Sequence, residues 1–358
     1  MMPETKTSTP GPISAHADGL ELRSGRVEKE ASGSTAGAPR PSLRAVIKTL
    51  RPHQWVKNIF VLAPMFFHKD LFVATAVGPA LNLPLTGHAF AAAAIFCLLA
   101  GAVYTINDLV DVEADRIHPV KRNRPIAAGL VPERLARAMA VVLVLVSLAA
   151  AYALPLSEHP PRPQAGVLLA LVAAVYFAEN LAYTFKLKKV AFLDVGLIAF
   201  GFVLRVLAGG IATNVHVSEY MLACTALLAL FLGFGKRRHE LSLENAGKQR
   251  AALEAYTPRS LNVALVVTGA ATTAAYVAYT LDPTTRAFFS TNYLWLTAPS
   301  LVFALVRFLL LVSGRAGRGL RAESPTQEML RDVPFVLNLV LWSAVVVAIV
   351  YQLRPSAG

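Results

Sequence analysis

Four residues in the middle of the chain have the types and the spacing to bind a hard cation. Asn107, Asp111 and Asp115 are spaced i, i+4, i+8, so a continuous helix stacks them on one face. Asp108, seven residues before Asp115, falls on nearly the same stripe. Three carboxylates and an amide arranged in this way repel one another unless a cation joins them. Oxygen-only ligands suit Mg²⁺, which shares its shell with water and substrate phosphates. A solvated acidic helix end is the plain alternative, but the strict helical spacing argues against it. All four residues are candidate metal ligands, with Asp111 and Asp115 the candidate catalytic acids among them.

The next residues read His118-Pro-Val-Lys121-Arg122-Asn-Arg124-Pro125 and run on to Gly129. Pro119 and Pro125 stop a helix and fix the path of the chain. Lys121, Arg122 and Arg124 therefore present positive charge beside the carboxylate stripe. Metal-carrying acids next to arginines form the pairing that holds a diphosphate. Taken singly, each basic residue is equally well explained as an ordinary loop cation.

Further candidates flank this centre. Arg51-Pro-His-Gln-Trp55-Val-Lys57-Asn58 carries polar residues straight into an apolar run, with Lys57 and Asn58 as candidate substrate ligands. Tyr183, Lys188 and Asp194 follow between two later apolar runs, Asp194 as a third candidate catalytic acid. Asp194 either binds a substrate hydroxyl or positions Lys188, and the sequence does not separate the two. Arg205 lies eleven residues further on, roughly 16 Å along a helix. A charge at that depth costs about 2.5–3.5 kcal/mol unless it faces a polar interior. It therefore looks into a cavity, either paired with a carboxylate or holding a phosphate. Lys236 and Arg237, in Gly-Phe-Gly-Lys-Arg-Arg-His-Glu, are the last candidates, either as site residues or as anchors to anionic headgroups.

The elements that must position these groups are membrane helices. Of 358 residues, 55% are hydrophobic and 16% charged, well below the charge of a soluble chain. The apolar runs fall at about 43–67, 86–107, 133–155, 164–185, 192–212, 217–235, 259–281, 291–313 and 332–353. The expected fold is an all-α, polytopic membrane bundle of nine spans. This excludes a secreted disulfide scaffold, a disordered chain and a water-soluble enzyme. Gly201, Gly209 and Gly210 in the 192–212 run point to close packing or a loosened helix.

Nearly all Lys and Arg lie in one set of connections, which places the N-terminus and the candidate site on the cytoplasmic side of the plasma membrane. The net charge of +12 is thus a topological signal and carries no implication of nucleic acid. Residues 1–40, rich in Ser, Pro, Gly and Ala, read as a disordered tail. Residues 41–354 form the catalytic domain, with 236–258 a cytoplasmic cap loop within it. Cys97 and Cys224 both sit in apolar runs and form no disulfide framework.

The stretches RPHQWVKN (51–58), NDLVDVEADRIHPVKRNRPIAAG (107–129), YTFKLKKVAFLD (183–194), GFVLR (201–205) and GKRRHEL (235–241) carry a family resemblance. The chain resembles the UbiA superfamily of intramembrane prenyltransferases, and within it the decaprenyl-phosphate phosphoribosyltransferase branch, over about residues 43–353. One departure from the wider superfamily is informative. The second aspartate motif usual in aromatic prenyltransferases is missing, since Asp194 is followed four residues on by Ile198.

The resemblance implies Mg²⁺-dependent transfer of 5-phosphoribosyl from phosphoribosyl diphosphate (PRPP) to a polyprenyl phosphate. The product would feed lipid-linked arabinose for cell-wall arabinan. Its partners are then PRPP, the lipid phosphate and the membrane, with a homo-oligomer left open. An aromatic prenyltransferase of the same fold is the first rival. A secondary transporter of an anion is the second, although no internal repeat supports it.

Overall fold

A computed structural model of the chain describes residues 41–75, 78–242, 251–313, 329 and 331–352. The expected tail 1–40 lies outside these residues, as does 243–250 of the expected cap loop.

The chain begins with α1 (Leu43–Thr49), capped by the Ser42 hydroxyl. Next come a 3₁₀ segment (Pro52–Leu62) and a four-residue helix α2 (Ala63–Phe66). The apolar stretch expected as one span over 43–67 is therefore three short pieces. Their junctions fall at Arg51-Pro52 and Ala63-Pro64, where proline removes a donor and resets the backbone. A small hairpin, β1 (Phe72–Thr75) against β2 (Gly78–Leu81), links this segment to the bundle.

The long helices are α3 (Leu83–Val110), α5 (Glu133–Ala153), α6 (Pro163–Phe185), α7 (Leu193–Thr213), α8 (Glu219–Leu241) and α9 (Pro258–Leu281), with the short α4 (Val112–Ile117) after α3. The short α10 (Pro283–Phe289), α11 (Ala298–Val312) and α12 (Val333–Val347) complete the set. Their starts are written in sequence: Asn82, Ser218, Asp282 and Asp332 cap with side-chain oxygens, and Thr257 with Ser260 forms a reciprocal capping box. Among the described residues, eight helical segments are long and apolar enough to cross a membrane. They coincide with the last eight expected runs to within a few residues, apart from α8. That helix continues to Leu241, so Lys236–Glu240 are helical and not the opening of a loop.

The two inner helices are α3 and α7, each more than half buried within its span, against a third or less for the other six. Phe96 and Leu99 of α3, Tyr176 of α6, Leu204 and Ala208 of α7, and Val61 of the 3₁₀ segment share one core. Lipid gives no hydrophobic drive for helix pairing, so close van der Waals fit decides these contacts. Gly209 illustrates it: a Cβ there would lie 1.9 Å from the Val61 carbonyl oxygen. Of the two expectations for these glycines, close packing is the outcome, because α7 runs unbroken. A second core joins Val195, Phe231, Leu253, Tyr256, Leu261 and Phe308. It seats the 3₁₀ turn Ala251–Ala255 on the ends of α7, α8 and α9.

Candidate active site

The acidic stripe survives folding with one hitch. Asp111 sits between α3 and α4 with φ −93° and ψ 6°. The helical register nevertheless passes through it, from the Asp111 N–H to the Asn107 carbonyl (3.0 Å) and from the Asp115 N–H to the Asp111 carbonyl (2.8 Å). Asp108 and Asp115 are each 2% exposed, whereas Asn107 and Asp111 are half-buried.

Each carboxylate meets a cation of the protein. Arg124 Nη1 donates to Asp115 at 2.5 Å and to Asp108 at 3.1 Å. Arg51 donates to the same Asp108 oxygen while its guanidinium lies 5.2 Å over the Tyr104 ring. Lys188 Nζ stands 3.5 Å from Asp111.

Local backbone chemistry explains how these cations arrive. The His118 ring nitrogen Nδ1 accepts from the Val120 and Lys121 amides at 3.1 and 3.2 Å, which closes the turn after α4. Gly129 has φ +71°, and the chain folds back so that the Leu130 amide reaches the Pro125 carbonyl at 2.9 Å. With Pro125 and Ile126 buried, Arg124 is aimed at the stripe. Lys121 and Arg122 are exposed on the intervening 3₁₀ turn and do not join the cluster. Arg51 adopts a left-handed conformation, φ 51° and ψ 62°. Such a backbone costs about 1–3 kcal/mol in a non-glycine residue and persists where the surroundings over-determine it.

A second polar group lies deeper, where Arg205 is buried among apolar helices. Its guanidinium donates to Asn58 Oδ1 (2.8 Å), the Tyr176 hydroxyl (2.7 Å) and the Gly201 carbonyl (2.9 Å), and stacks over the Tyr176 and Phe202 rings. Asn58 in turn donates to Cys97 Sγ at 3.1 Å. Lys57 is within electrostatic reach of both Arg205 and Arg51. Among the described residues, no carboxylate forms an ion pair with Lys57 or Arg205. Glu179 is an acid within electrostatic reach of Arg205. Its Oε2 and the Arg205 Nη1 would each lie 3.5 Å from a Cβ on Gly201, and Oε2 accepts from Asn180.

A third group sits where α7 begins. Asp194 is fully buried; its Oδ2 accepts from Arg237 Nε at 2.6 Å and its Oδ1 from the Tyr256 hydroxyl at 2.7 Å. Arg237 also binds Glu240, which meets Lys236 at 3.8 Å. Tyr183 lies within electrostatic reach of Arg237. Burial, with the Asp194 charge beside it, pushes the Tyr256 hydroxyl above the usual tyrosine range, so it remains a donor.

Apart from the exposed Lys121 and Arg122, the expected site residues divide into three sets: Asn107, Asp108, Asp111, Asp115, Arg124 and Lys188; Lys57, Asn58 and Arg205; and Tyr183, Asp194, Lys236 and Arg237.

Residues 61–323 match the UbiA prenyltransferase family. The chain belongs to that family. This UbiA-family chain is 39% identical over 252 residues to a decaprenyl-phosphate phosphoribosyltransferase of Mycolicibacterium smegmatis, covering 69% of the chain and 73% of the relative. It is 37% identical over 317 residues to the Mycobacterium tuberculosis protein of the same name, covering 87% and 96%. A solved UbiA homolog from Archaeoglobus fulgidus, bound to DMAPP and Mg²⁺, shares its fold with a TM-score of 0.61 at 18% identity, covering 87% of this chain and all of that one.

Within this UbiA-family fold, several site residues escaped the sequence reading. Arg51 stood in the quoted RPHQWVKN run but carried no assigned role. Glu179 had a signal that could have found it, being an acid inside an apolar run. Tyr104, Tyr176 and Tyr256 had none, since their partners lie up to 64 residues away.

The stripe's donor set of three carboxylates and one amide is all oxygen, the chemistry that suits Mg²⁺. Arg124 already places a positive charge between two of those carboxylates. Among the described residues no three acids close into a cage; Asp108 and Asp115 share Arg124, and Asp111 turns to Lys188.

Proposed function

We propose that the protein transfers the 5-phosphoribosyl group of PRPP to a polyprenyl phosphate, with release of diphosphate, on the cytoplasmic side of the plasma membrane. The observation that carries this reading is the juxtaposition of two electrically different subsites. One is an acidic stripe whose charges are balanced by Arg51, Arg124 and Lys188. The other is the pair Lys57 and Arg205, cationic and, among the described residues, in an ion pair with no carboxylate. Two phosphate-bearing substrates need two such places. The names of the mycobacterial relatives support the choice of a decaprenyl phosphate as one of them.

Asn107, Asp108, Asp111 and Asp115 would hold Mg²⁺, whose charge, when bound, offsets that developing on the leaving diphosphate. Arg124 and Lys188 stand beside these acids and grip the diphosphate oxygens directly. Lys57 and Arg205 hold the lipid phosphate in a low-dielectric interior, where each contact counts for more than in water. A lipid phosphate oxygen, already an anion, attacks the anomeric carbon. The bond from that carbon to diphosphate breaks, and its electron pair leaves with diphosphate. No proton moves, so no general base is required.

The test follows radiolabel from PRPP into the organic phase with purified protein, decaprenyl phosphate and Mg²⁺. Lipid label that EDTA removes is the expected result. Intact substrates with no lipid label, alongside prenyl transfer from a prenyl diphosphate to an aromatic acceptor, would replace this reading with the aromatic one.

A further inference from the structure

Phe192, the residue before α7, has φ 66° and ψ −43°. A bulky side chain rarely occupies this region, and a backbone held there needs something outside itself to keep it. The Phe192 N–H donates to the Tyr256 hydroxyl oxygen at 2.6 Å. The same hydroxyl donates to Asp194 Oδ1 at 2.7 Å, and the other Asp194 oxygen accepts from Arg237 at 2.6 Å. The rings of Phe192 and Tyr256 also pack with centroids 4.9 Å apart. One hydroxyl thus uses both its donor and its acceptor capacity to tie a strained turn to a buried ion pair.

That turn carries a site residue. Lys188 lies four positions before Phe192, in the 3₁₀ turn Leu187–Lys189, and it faces Asp111. Val190 to Asp194 is closed by a 3.0 Å backbone bond, so the turn moves as a unit with the start of α7. The two 3₁₀ turns, Leu187–Lys189 and Ala251–Ala255, pack against each other. Asp194 has no oxygen left over: both meet protein donors, and the side chain is fully buried.

We infer that Tyr256, with Asp194 and Arg237, is a positioning device that holds Lys188 against the acidic stripe, and that Asp194 acts through this network without touching substrate. Of the two roles open to Asp194 from sequence, this is the second. The consequence for PRPP rests on the proposed reaction, whereas the placement of Lys188 does not.

Tyr256→Phe keeps the ring and removes the hydroxyl. In the full-length purified protein, acetylation of Lys188 by acetic anhydride, followed by mass spectrometry, reads the placement without reference to activity. Lys188 should label several-fold faster in Tyr256→Phe than in wild type, with exposed Lys48 as the unchanged reference. Equal rates would overturn the inference. Asp194→Asn serves as the second variant, with the same direction expected, should Tyr256→Phe not fold.

In the transfer assay, Tyr256→Phe should raise KM for PRPP by about tenfold with kcat nearly unchanged. It should add nothing on top of Lys188→Ala, whereas a general loss of structure would multiply the two effects. If wild type transfers no phosphoribosyl group, the proposed function fails while the labelling experiment still decides the placement of Lys188.

Discussion

The guanidinium of Arg205 donates to the side-chain oxygen of Asn58 at 2.8 Å, joining the middle of an inner helix to the 3₁₀ segment near the start of the described chain. Every described partner of Arg205 is neutral: an amide, a phenol and a backbone carbonyl. Such hydrogen bonds solvate a cation without pairing it, Glu179 standing by without an ion pair, and the remaining charge is what an anionic substrate meets.

Arg205→Met should therefore separate stability from activity. A thioether of similar length fills the space and removes the cost of burying an unpaired charge, which offsets the hydrogen bonds lost at Asn58 and Tyr176, about 1–3 kcal/mol. Thermal unfolding in detergent is expected to be unchanged or shifted upward. Transfer should fall by about a hundredfold or more, the scale for losing a preorganised charge contact. An active Arg205→Met enzyme would mean that the phosphate binds elsewhere.

Asp111 and Asp115 should behave differently when changed to Asn. Asp115 is buried in a 2.5 Å pair with Arg124. Losing that charge-assisted contact, with Arg124 keeping only Asp108 at 3.1 Å, costs about 1.5–3 kcal/mol. Asp111 is a third exposed and its Lys188 contact is looser, worth about 1 kcal/mol or less. Both variants should lose transfer in the lipid-label assay. Only Asp115→Asn should also show a clearly lowered unfolding temperature.

The glycines of α7 give a paired test. Gly209→Ala would drive a Cβ into the Val61 carbonyl, an overpacking of about 1–3 kcal/mol or more that should appear as a lowered unfolding temperature. Gly201→Ala meets nothing closer than 3.5 Å and should fold normally. Its methyl enters between Arg205 and Glu179, so reduced transfer with unchanged stability is expected.

The Tyr256 network should be insensitive to pH in the ordinary working range. Burial and the neighbouring Asp194 carboxylate raise the hydroxyl above the usual tyrosine range. A group raised in this way keeps its protonated form, and the stability that form brings is lost only as pH rises through the raised value. The ratio of KM values between Tyr256→Phe and wild type should stay flat from about pH 6 to pH 9, below ordinary tyrosine titration.

Much of this was legible in sequence, for identifiable reasons. The stripe of Asn107, Asp111 and Asp115 could be placed because helical spacing is local, and the helical hydrogen bonds run on through Asp111. Arg124 could be placed near it because two prolines leave the loop little freedom. The stretch 43–67 read as one span because its composition is apolar. Composition is blind to the left-handed Arg51 that breaks it, and nothing in 52–62 announces a 3₁₀ helix. Asp194 read as a site acid because an isolated carboxylate at a membrane boundary invites a ligand. Its partners, Arg237 and Tyr256, come from 43 and 62 residues away, beyond any local pattern.

The 3₁₀ segment also sets a length. Its eleven residues rise about 2.0 Å each where an α-helix would rise 1.5 Å, so it reaches about 22 Å against about 16 Å. The stretched winding works as a depth gauge, lowering Lys57 and Asn58 from the Arg51 turn to the level of Arg205 with few residues. Its threefold winding also means that one inserted residue would turn every later side chain by about 120°. Depth and direction in this arm are thus counted in single residues, and the arm tolerates no slack.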